Sequence, residues 1–292
     1  MTTVGFIGLG AIGRPMAVHV ATTFETTVWN RTAERAQTFA DEHGATAASD
    51  PASLVQAVDV VLTCLPTSVE VRQVVESAGD AWREGQLLVD CTSGDPAASR
   101  ALAEWLGGRG VGFVDAPVSG GTNGAEAGTL TVMLGGEHRW VGTAEQIVAA
   151  FAGKTVHVGP VGTGHALKAI NNALLAINIQ AAGEGLAALV KLGVSAQRAL
   201  DVINASSGRS NVTETLIGER VVGRAWPRTF RLALLDKDVG IALKVLQDTG
   251  VPHDAIGVAK KVYEEGRKVL GEEVDHVELI KEIERAAGVE IK

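Results

Sequence analysis

Val4-Gly5-Phe6-Ile7-Gly8-Leu9-Gly10-Ala11-Ile12-Gly13-Arg14-Pro15-Met16-Ala17 decides how the first half of the chain is read. A short apolar run, Val4–Ile7, ends in closely spaced glycines, and a helix-like segment follows over 11–22. Glycines at such a junction allow a tight turn, close approach of backbone to a pyrophosphate, and packing of the helix on its strand. The helix N-terminus offers N–H groups to phosphate oxygens. A glycine pattern alone carries little weight. At the first strand–helix junction it predicts a dinucleotide site built from Gly8, Leu9, Gly10, Ala11, Ile12 and Gly13.

Working outward, strand signals recur at Thr26–Trp29, Val58–Cys64, Leu87–Asp90, Val111–Val114, Leu130–Leu134 and Thr155–Val158. Helix-like segments 32–43, 51–57, 69–78 and 96–109 separate the early ones. Asp50-Pro51 and Asp95-Pro96 read as N-caps with a first-turn proline. Alternation at this spacing predicts an α/β, doubly wound sheet, parallel at least in its first half. The pattern changes after Pro160. A proline-free stretch from Gly162 to Gly193 is apolar on nearly every face, the mark of a buried helix. Further helical segments follow at 195–206, 211–223, 231–248, 253–270 and 276–287, with Asp275 and Glu278 spaced as a capping box. The expected organisation is a dinucleotide-binding domain over 1–161 and an all-α domain over 162–292, joined by a long interdomain helix. No internal repeat is evident.

Composition excludes several classes. The length of 292 residues suits two domains. The balance of 26 Lys+Arg against 34 Asp+Glu, net charge -8, argues against a nucleic-acid partner or a polybasic membrane surface. Two cysteines, Cys64 and Cys91, are too few for a disulfide framework, so a reducing cytoplasm is expected. MTTVGFIGLG lacks a basic n-region and a cleavage site. Asn178, Gln180 and Glu184 interrupt the most apolar stretch, 173–190, so no membrane-crossing helix is expected.

The second strand should end with the residue that selects the cofactor. An NAD site usually carries Asp or Glu there. This chain has Trp29-Asn30-Arg31-Thr32 instead. Arg31 can pair with a 2′-phosphate, and Asn30 and Thr32 can donate to it, which favours NADP over NAD. A solvated surface arginine is the plain alternative. Later strand ends, Cys64-Leu65-Pro66 and Asp90-Cys91-Thr92-Ser93, should also face the cofactor. The cysteines themselves read first as small packing residues.

Three further segments carry candidate chemistry. In Asp115-Ala116-Pro117-Val118-Ser119-Gly120-Gly121, the Ser119 hydroxyl and the Gly120 and Gly121 N–H groups suit a small carboxylate. A glycine-rich hairpin turn reads equally well. In Gly162-Thr163-Gly164-His165-Ala166-Leu167-Lys168-Ala169-Ile170-Asn171-Asn172, Lys168 and Asn172 are four apart and share a helix face, with His165 one turn earlier. A lysine desolvated in an apolar helix should have its pKa lowered toward acid/base work near neutrality. A lysine snorkelling to water is an equal reading. Leu235-Asp236-Lys237-Asp238 reads first as a solvated patch, and its interest is a second cation, Lys237, reaching the cleft. The only tyrosine, Tyr263, has Arg267 four residues on, so no Tyr-x-x-x-Lys pair exists. The seven histidines show no paired metal-ligand spacing, so no metal is expected.

Together these motifs resemble the β-hydroxyacid dehydrogenase family, and within it the bacterial 3-hydroxyisobutyrate dehydrogenases. GFIGLGAIGRPMA, CLPTSVEV, DAPVSGG, GTLTVMLGG, GPVGTGHALKAINN, INASSGRSN and LALLDKDVGIA carry the likeness over nearly the whole chain. The resemblance implies a Rossmann-type first domain and reversible hydride transfer between NADP or NAD and a small carboxylate-bearing alcohol. It implies Lys168 as catalytic lysine and Asn172 as its companion. Ser119, Gly120 and Gly121 would hold the carboxylate, Lys237 would be the second-domain lysine at substrate and cofactor, and Thr92 would lie beside the nicotinamide. Asn30, Arg31 and Thr32 match the adenosine-phosphate loop of NADP-using members. Ile12 stands where methionine is usual, and Thr92-Ser93 reverses the common order. The implied substrate is 3-hydroxyisobutyrate, oxidised to methylmalonate semialdehyde in valine catabolism by a cytoplasmic homodimer or homotetramer. The alternatives are reduction of tartronate semialdehyde, glyoxylate or succinic semialdehyde, and a non-catalytic cofactor-binding scaffold. Lys168 argues against an imine reductase, where that lysine is typically replaced.

Overall fold

The computed structural model describes residues 2–292 and divides into two compact units, the first ending at Lys168 and the second spanning Ala169–Lys292. Among the described residues the first unit is built on nine strands: β1 (Thr3–Ile7), β2 (Glu25–Trp29), β3 (Thr46–Ala47), β4 (Val60–Thr63), β5 (Leu87–Asp90), β6 (Gly112–Asp115), β7 (Val118–Ser119), β8 (Leu130–Gly136) and β9 (Ala152–Gly159). They form one sheet in the order β3-β2-β1-β4-β5-β6-β8-β7, with β9 paired to β8. From β3 to β6 every pairing is parallel, whereas β8 runs antiparallel to β6 and β7. Helices α1 (Gly13–Ala21), α2 (Ala33–His43), α3 (Pro51–Ala57), α4 (Ser68–Ser77), α5 (Pro96–Gly107), α6 (Gly121–Ala127) and α7 (His138–Val148) connect the strands.

Successive side chains of a strand point to opposite faces. Val4 and Phe6, Val60 and Leu62, and Leu87 and Val89 enter one core with Met16, Val20 and Phe39. Ile7, Val61, Leu88 and Phe113 enter the other, with Leu54, Val75 and Leu106. Burial of both faces explains why these strands read as continuous apolar runs rather than alternating ones. Asp50 caps α3 in a capping box with Ser53, and Asp95 accepts from Ala97 and Ala98 at the start of α5, as their Asp-Pro spacing predicts. The strand expected from Val58 starts at Val60, because Val58 is the residue that ends α3. Helices α6 and α7 and the two-residue strands β3 and β7 have no counterpart in the sequence reading.

The second unit is helical: α8 (Thr163–Lys191), which begins in the first unit, then α9 (Ala196–Asn204), α10 (Leu232–Thr249), α11 (Asp254–Leu270) and α12 (Leu279–Ala287). Val212–Val222, expected as an ordinary helix, is a π-helix, and a 3-10 turn over His276–Glu278 precedes α12. Ala173, Ala176, Ile179, Leu186 and Ala187 of α8 pack into the core with Leu200, Leu235 and Tyr263. The buried Tyr263 hydroxyl donates to the Ala176 carbonyl at 3.2 Å. The expectation that Asn178, Gln180 and Glu184 exclude a membrane-crossing length of apolar helix is corrected. By length and composition alone α8 is long and apolar enough to reach that range. Core helices of globular folds reach it too.

Asp275 organises the far end of this unit. It is 1% exposed and accepts from the backbone N–H groups of Thr229, Phe230 and Val277, with the His276 Nδ1 3.0 Å away. Its own N–H donates to Glu278 Oε1, completing the predicted capping box. Burial would raise this carboxyl, but the His276 ring and these N–H groups outweigh it and hold it well below its usual range. A depressed folded pKa contributes stability above the unfolded value that is lost as pH falls toward the folded one. Asp275→Asn should therefore lower Tm at neutral pH and show a shallower further loss below about pH 4. Thermal melts of both proteins across that range check it, and parallel curves would reject the assignment.

Candidate active site

The parallel registers set Trp29, Ile7, Thr63, Asp90 and Asp115 in one row across the sheet. The residues that follow them, Asn30, Gly8, Cys64, Cys91 and Ala116, therefore emerge together at the carboxyl edge. Ligands bind at that edge in doubly wound sheets.

At its centre, Gly8 adopts φ +103°, a conformation costly for any residue with a Cβ. A Cβ there would stand 2.3 Å from the Cys64 carbonyl oxygen, and one on Gly13 would stand 2.0 Å from the Gly8 carbonyl. Around Gly10 the space is open. The loop is thus closed on its inner side and free on its outer side. Ile12 supplies no side-chain cap to α1, the Arg14 N–H donates to the Gly10 carbonyl at 2.9 Å and Pro15 has no N–H, so Gly13 supplies the first-turn N–H open to a ligand. This cradle fits a dinucleotide pyrophosphate.

Asn30 does something the sequence did not suggest. Its Oδ1 accepts from the Leu9 N–H at 3.1 Å, and its Nδ2 donates to the Thr32 carbonyl at 3.1 Å. The amide ties the glycine loop to the end of β2 and engages one of its two N–H bonds in doing so. Arg31 and Thr32 are exposed at the start of α2, where they can pair with a phosphate. On the other side, Asp90 Oδ1 accepts from Thr63 Oγ1 at 2.8 Å and from the Thr92 N–H at 3.0 Å. Thr92 Oγ1 in turn accepts from the Leu65 N–H at 3.1 Å. The ends of β4 and β5 are cross-tied through Leu65 and Thr92, and Pro66 follows at the surface. Cys64 keeps some surface as a residue, but its thiol is enclosed. Burial, then the Asp90 charge, push it up to about 12, and burial raises Cys91 as well. Neither supplies a thiolate, in keeping with the packing role.

Ser119 lies in β7, opposite Thr131 of β8. Gly120 and Gly121 then take φ +136° and +65°, and α6 begins at once. The hairpin alternative is thereby replaced by a strand that turns into a short helix through two glycines. His19 of α1 clamps the other end of α6, its Nε2 3.1 Å from the Ala125 carbonyl and 3.0 Å from that of Glu126. The helix behind the glycine loop and the helix behind Ser119 are thus joined by one side chain.

Lys168 is 9% exposed on α8. The start of this helix is held from the end of β6. Asp115 Oδ1 accepts from the Gly162 N–H at 2.7 Å and Oδ2 from the His165 N–H at 2.9 Å. Burial raises the Asp115 carboxyl above its usual range, against the pull of His165 and those two N–H groups. Asp115 caps α8 from a distance of 47 residues in sequence, which no local pattern discloses.

In the second unit, Asn172 Nδ2 donates to Asp238 Oδ2 at 2.6 Å, and Lys237 Nζ lies 3.1 Å from Asp238 Oδ1. Asp238 is 1% exposed and Asn172 4%. One buried carboxylate therefore gathers two candidate residues that sit on different helices. Asn172, expected beside Lys168 along α8, has its amide donor committed to Asp238. In the sequence Asp238 shows only as one charge of the Asp236-Lys237-Asp238 run within a mostly apolar helical segment. Among the described residues no group of three or more His, Cys, Asp or Glu is placed to hold a metal ion.

Comparison with known proteins places this arrangement. Residues 3–159 match the model for the NAD binding domain of 6-phosphogluconate dehydrogenase. Residues 162–283 match that for the NAD-binding region of NADP-dependent 3-hydroxyisobutyrate dehydrogenase. The chain is 33% identical to 2-(hydroxymethyl)glutarate dehydrogenase of Eubacterium barkeri, over 99% of this chain and 97% of that one. It is 32% identical to the human mitochondrial 3-hydroxyisobutyrate dehydrogenase, over 90% and 81%. Its fold superposes on the 3-hydroxyisobutyrate dehydrogenase of Mycobacterium tuberculosis, solved with L-serine, with a TM-score of 0.89 at 29% identity, covering 97% and 99%. The chain belongs to the β-hydroxyacid dehydrogenase family, close to the 3-hydroxyisobutyrate dehydrogenases, and is a nicotinamide-dependent oxidoreductase acting on CH–OH groups.

Proposed function

We propose that the chain oxidises 3-hydroxyisobutyrate reversibly to methylmalonate semialdehyde with NADP. The observation that carries this reading is the Asp238 carboxylate, which holds the amide of Asn172 and the ammonium of Lys237 together. The molecules named with its relatives also support it. 3-Hydroxyisobutyrate, 2-(hydroxymethyl)glutarate and L-serine share one head, a hydroxymethyl group on the carbon that bears the carboxylate. A site for that head needs anchors for a carboxylate and a base for a primary alcohol.

The residues divide that work. The Ser119 hydroxyl and the N–H groups of Gly120 and Gly121 hold the carboxylate, because two consecutive N–H groups at a helix start form an anion nest. Lys237 is the second cationic anchor. Lys168 Nζ takes the hydroxyl proton in oxidation and returns it in reduction. Asn172, locked by Asp238, keeps a fixed amide on the same α8 face as Lys168. The bound nicotinamide supplies the hydride acceptor. Gly8 to Gly13 would hold its pyrophosphate, Cys64-Leu65-Pro66 and Thr92 would line its site, and Arg31 with Thr32 would pair with a 2′-phosphate.

A second reading is a larger substituent on the same head, as in 2-(hydroxymethyl)glutarate, which the 33%-identical relative from Eubacterium barkeri supports. The two substrates differ by a methyl group against a carboxyethyl group, so the second reading requires a further polar partner for a second carboxylate. Initial rates with 3-hydroxyisobutyrate, 2-(hydroxymethyl)glutarate and glycerate, each with NADP⁺ and NAD⁺, test both readings. The highest kcat/KM is expected for 3-hydroxyisobutyrate with NADP⁺. In the same assay Arg31→Ala should raise the KM for NADP⁺ by at least about 10-fold and leave that for NAD⁺ nearly unchanged, given the strength of charge-assisted pairs. Equal loss with both cofactors would reject the 2′-phosphate contact.

A further inference from the structure

His165 is buried in the first unit, one turn before Lys168, and no step above uses it. Its ring is 1% exposed and lies against Gly94, where an added Cβ would stand 2.7 Å from Cε1. Its Nδ1 is 2.7 Å from Ser99 Oγ. Ser99 Oγ donates to the Asp95 carbonyl at 3.1 Å, so it accepts from His165 Nδ1–H. That fixes the role of one ring nitrogen. The other, Nε2, has no hydrogen-bond partner among the described residues and faces Asp90 Oδ2 at 3.9 Å. This is about 1 Å beyond an ordinary N–H···O length. Asp90 is the residue whose other oxygen holds the Thr92 N–H.

A buried imidazole with one unmet nitrogen is a poor choice for packing alone. Burying an unsatisfied polar atom costs stability that an apolar side chain of similar volume would avoid. Yet this ring spans the three elements that matter most here: the Thr92–Gly94 segment after β5, α5 through Ser99, and the first turn of α8. We infer that His165 is a positioning residue. It holds the α8 turn that precedes Lys168 to α5 through the Ser99 hydrogen bond and packs it against Gly94, and so sets the base relative to the Thr92–Gly94 segment assigned to the nicotinamide. The inference rests on the proposed roles of Lys168 and Thr92.

The test uses His165→Leu, His165→Gln, Ser99→Ala and Lys168→Ala in the full chain. Each is assayed with NADP⁺ and with 3-hydroxyisobutyrate carrying hydrogen or deuterium on its carbinol carbon. Misplacing a reacting group by about 1 Å can cost about 10²-fold. His165→Leu should keep or raise Tm, hold the NADPH Kd within about threefold, lower kcat by about 10–100-fold and enlarge the isotope effect on it. His165→Gln, whose amide can still donate to Ser99, should recover most of the rate. Ser99→Ala should lose several-fold in kcat and decides the matter should His165→Leu fail to fold. Rates within twofold of the parent for His165→Leu, or for Ser99→Ala in that event, overturn the inference provided Lys168→Ala is inactive. Near-normal turnover by Lys168→Ala would instead overturn the reading beneath it.

Discussion

Lys168→Ala is expected to lower kcat with a β-hydroxyacid by about 10²–10⁴-fold, the usual contribution of general acid/base catalysis, while NADPH still binds. Lys168 is almost wholly buried on a helix whose start is clamped by Asp115, so its position along α8 is well defined. Removing the side chain removes the proposed proton acceptor without touching the glycine loop, Asn30 or Thr92. The loss should therefore appear in kcat rather than in cofactor affinity. Stopped single-turnover assays with NADPH fluorescence titration separate the two. Lys168→Met, which keeps length and removes the charge, should behave like the alanine variant. If Lys168→Ala turned over at near-parental rate, the proton would have to move through another group.

The second large effect is expected at Asp238. Replacement by alanine leaves Lys237 without its 3.1 Å carboxylate and Asn172 without the acceptor of its 2.6 Å bond. Breaking a buried pair typically costs about 3–5 kcal/mol. The Lys237 side chain is 22% exposed and keeps some water, so the lower end of that range applies. Catalysis should suffer more than stability. Freed from Asp238, Asn172 can turn and Lys237 can leave the position proposed for a carboxylate anchor, so kcat/KM should fall by at least about 10²-fold. Asp238→Asn separates the contributions. It preserves shape and an acceptor for Asn172 but removes the charge beside Lys237. It should restore most of the stability and only part of kcat/KM. Denaturant melts and steady-state kinetics on both variants check this. Full activity in Asp238→Ala would show that Asn172 and Lys237 do not depend on it.

What was legible in the sequence was whatever a single residue type dictates locally. Gly8 and Gly13 must be glycine because of φ and of carbonyl contacts closer than any Cβ tolerates. Asp50-Pro51 and Asp95-Pro96 start helices by chemistry confined to four residues. Both-face burial made the parallel strands plain. What was hidden depends on partners far along the chain. Asp115 works through Gly162 and His165, and Asp238 through Asn172, 66 residues away. Asn30 was read correctly as lying at the cofactor strand's end, but its amide is committed to Leu9 and Thr32, a geometry that composition does not encode. Helix α6 stayed hidden because its glycines mimic a turn. The π-helical winding of Val212–Val222 stayed hidden because its buried positions, Val212, Thr213, Ile217 and Val221, recur about every four residues, much as they would in an α-helix.

The division of the chain into its compact units falls inside α8, right after Lys168 and four residues before Asn172. The two family matches instead change over between 159 and 162, ahead of that helix. The difference matters for recombination. A chimera spliced at the compact boundary would graft a foreign asparagine onto a resident lysine and break a continuous helix at its most chemically charged turn. A splice at Pro160 or Val161 moves the whole helix as one cassette, but it then parts Asp115 from the N–H groups it caps, since Gly162 and His165 travel with the donor. Family shuffling at this joint should therefore succeed only among parents that keep a carboxylate at the end of β6. This makes Asp115 a compatibility marker for exchanging specificity between relatives.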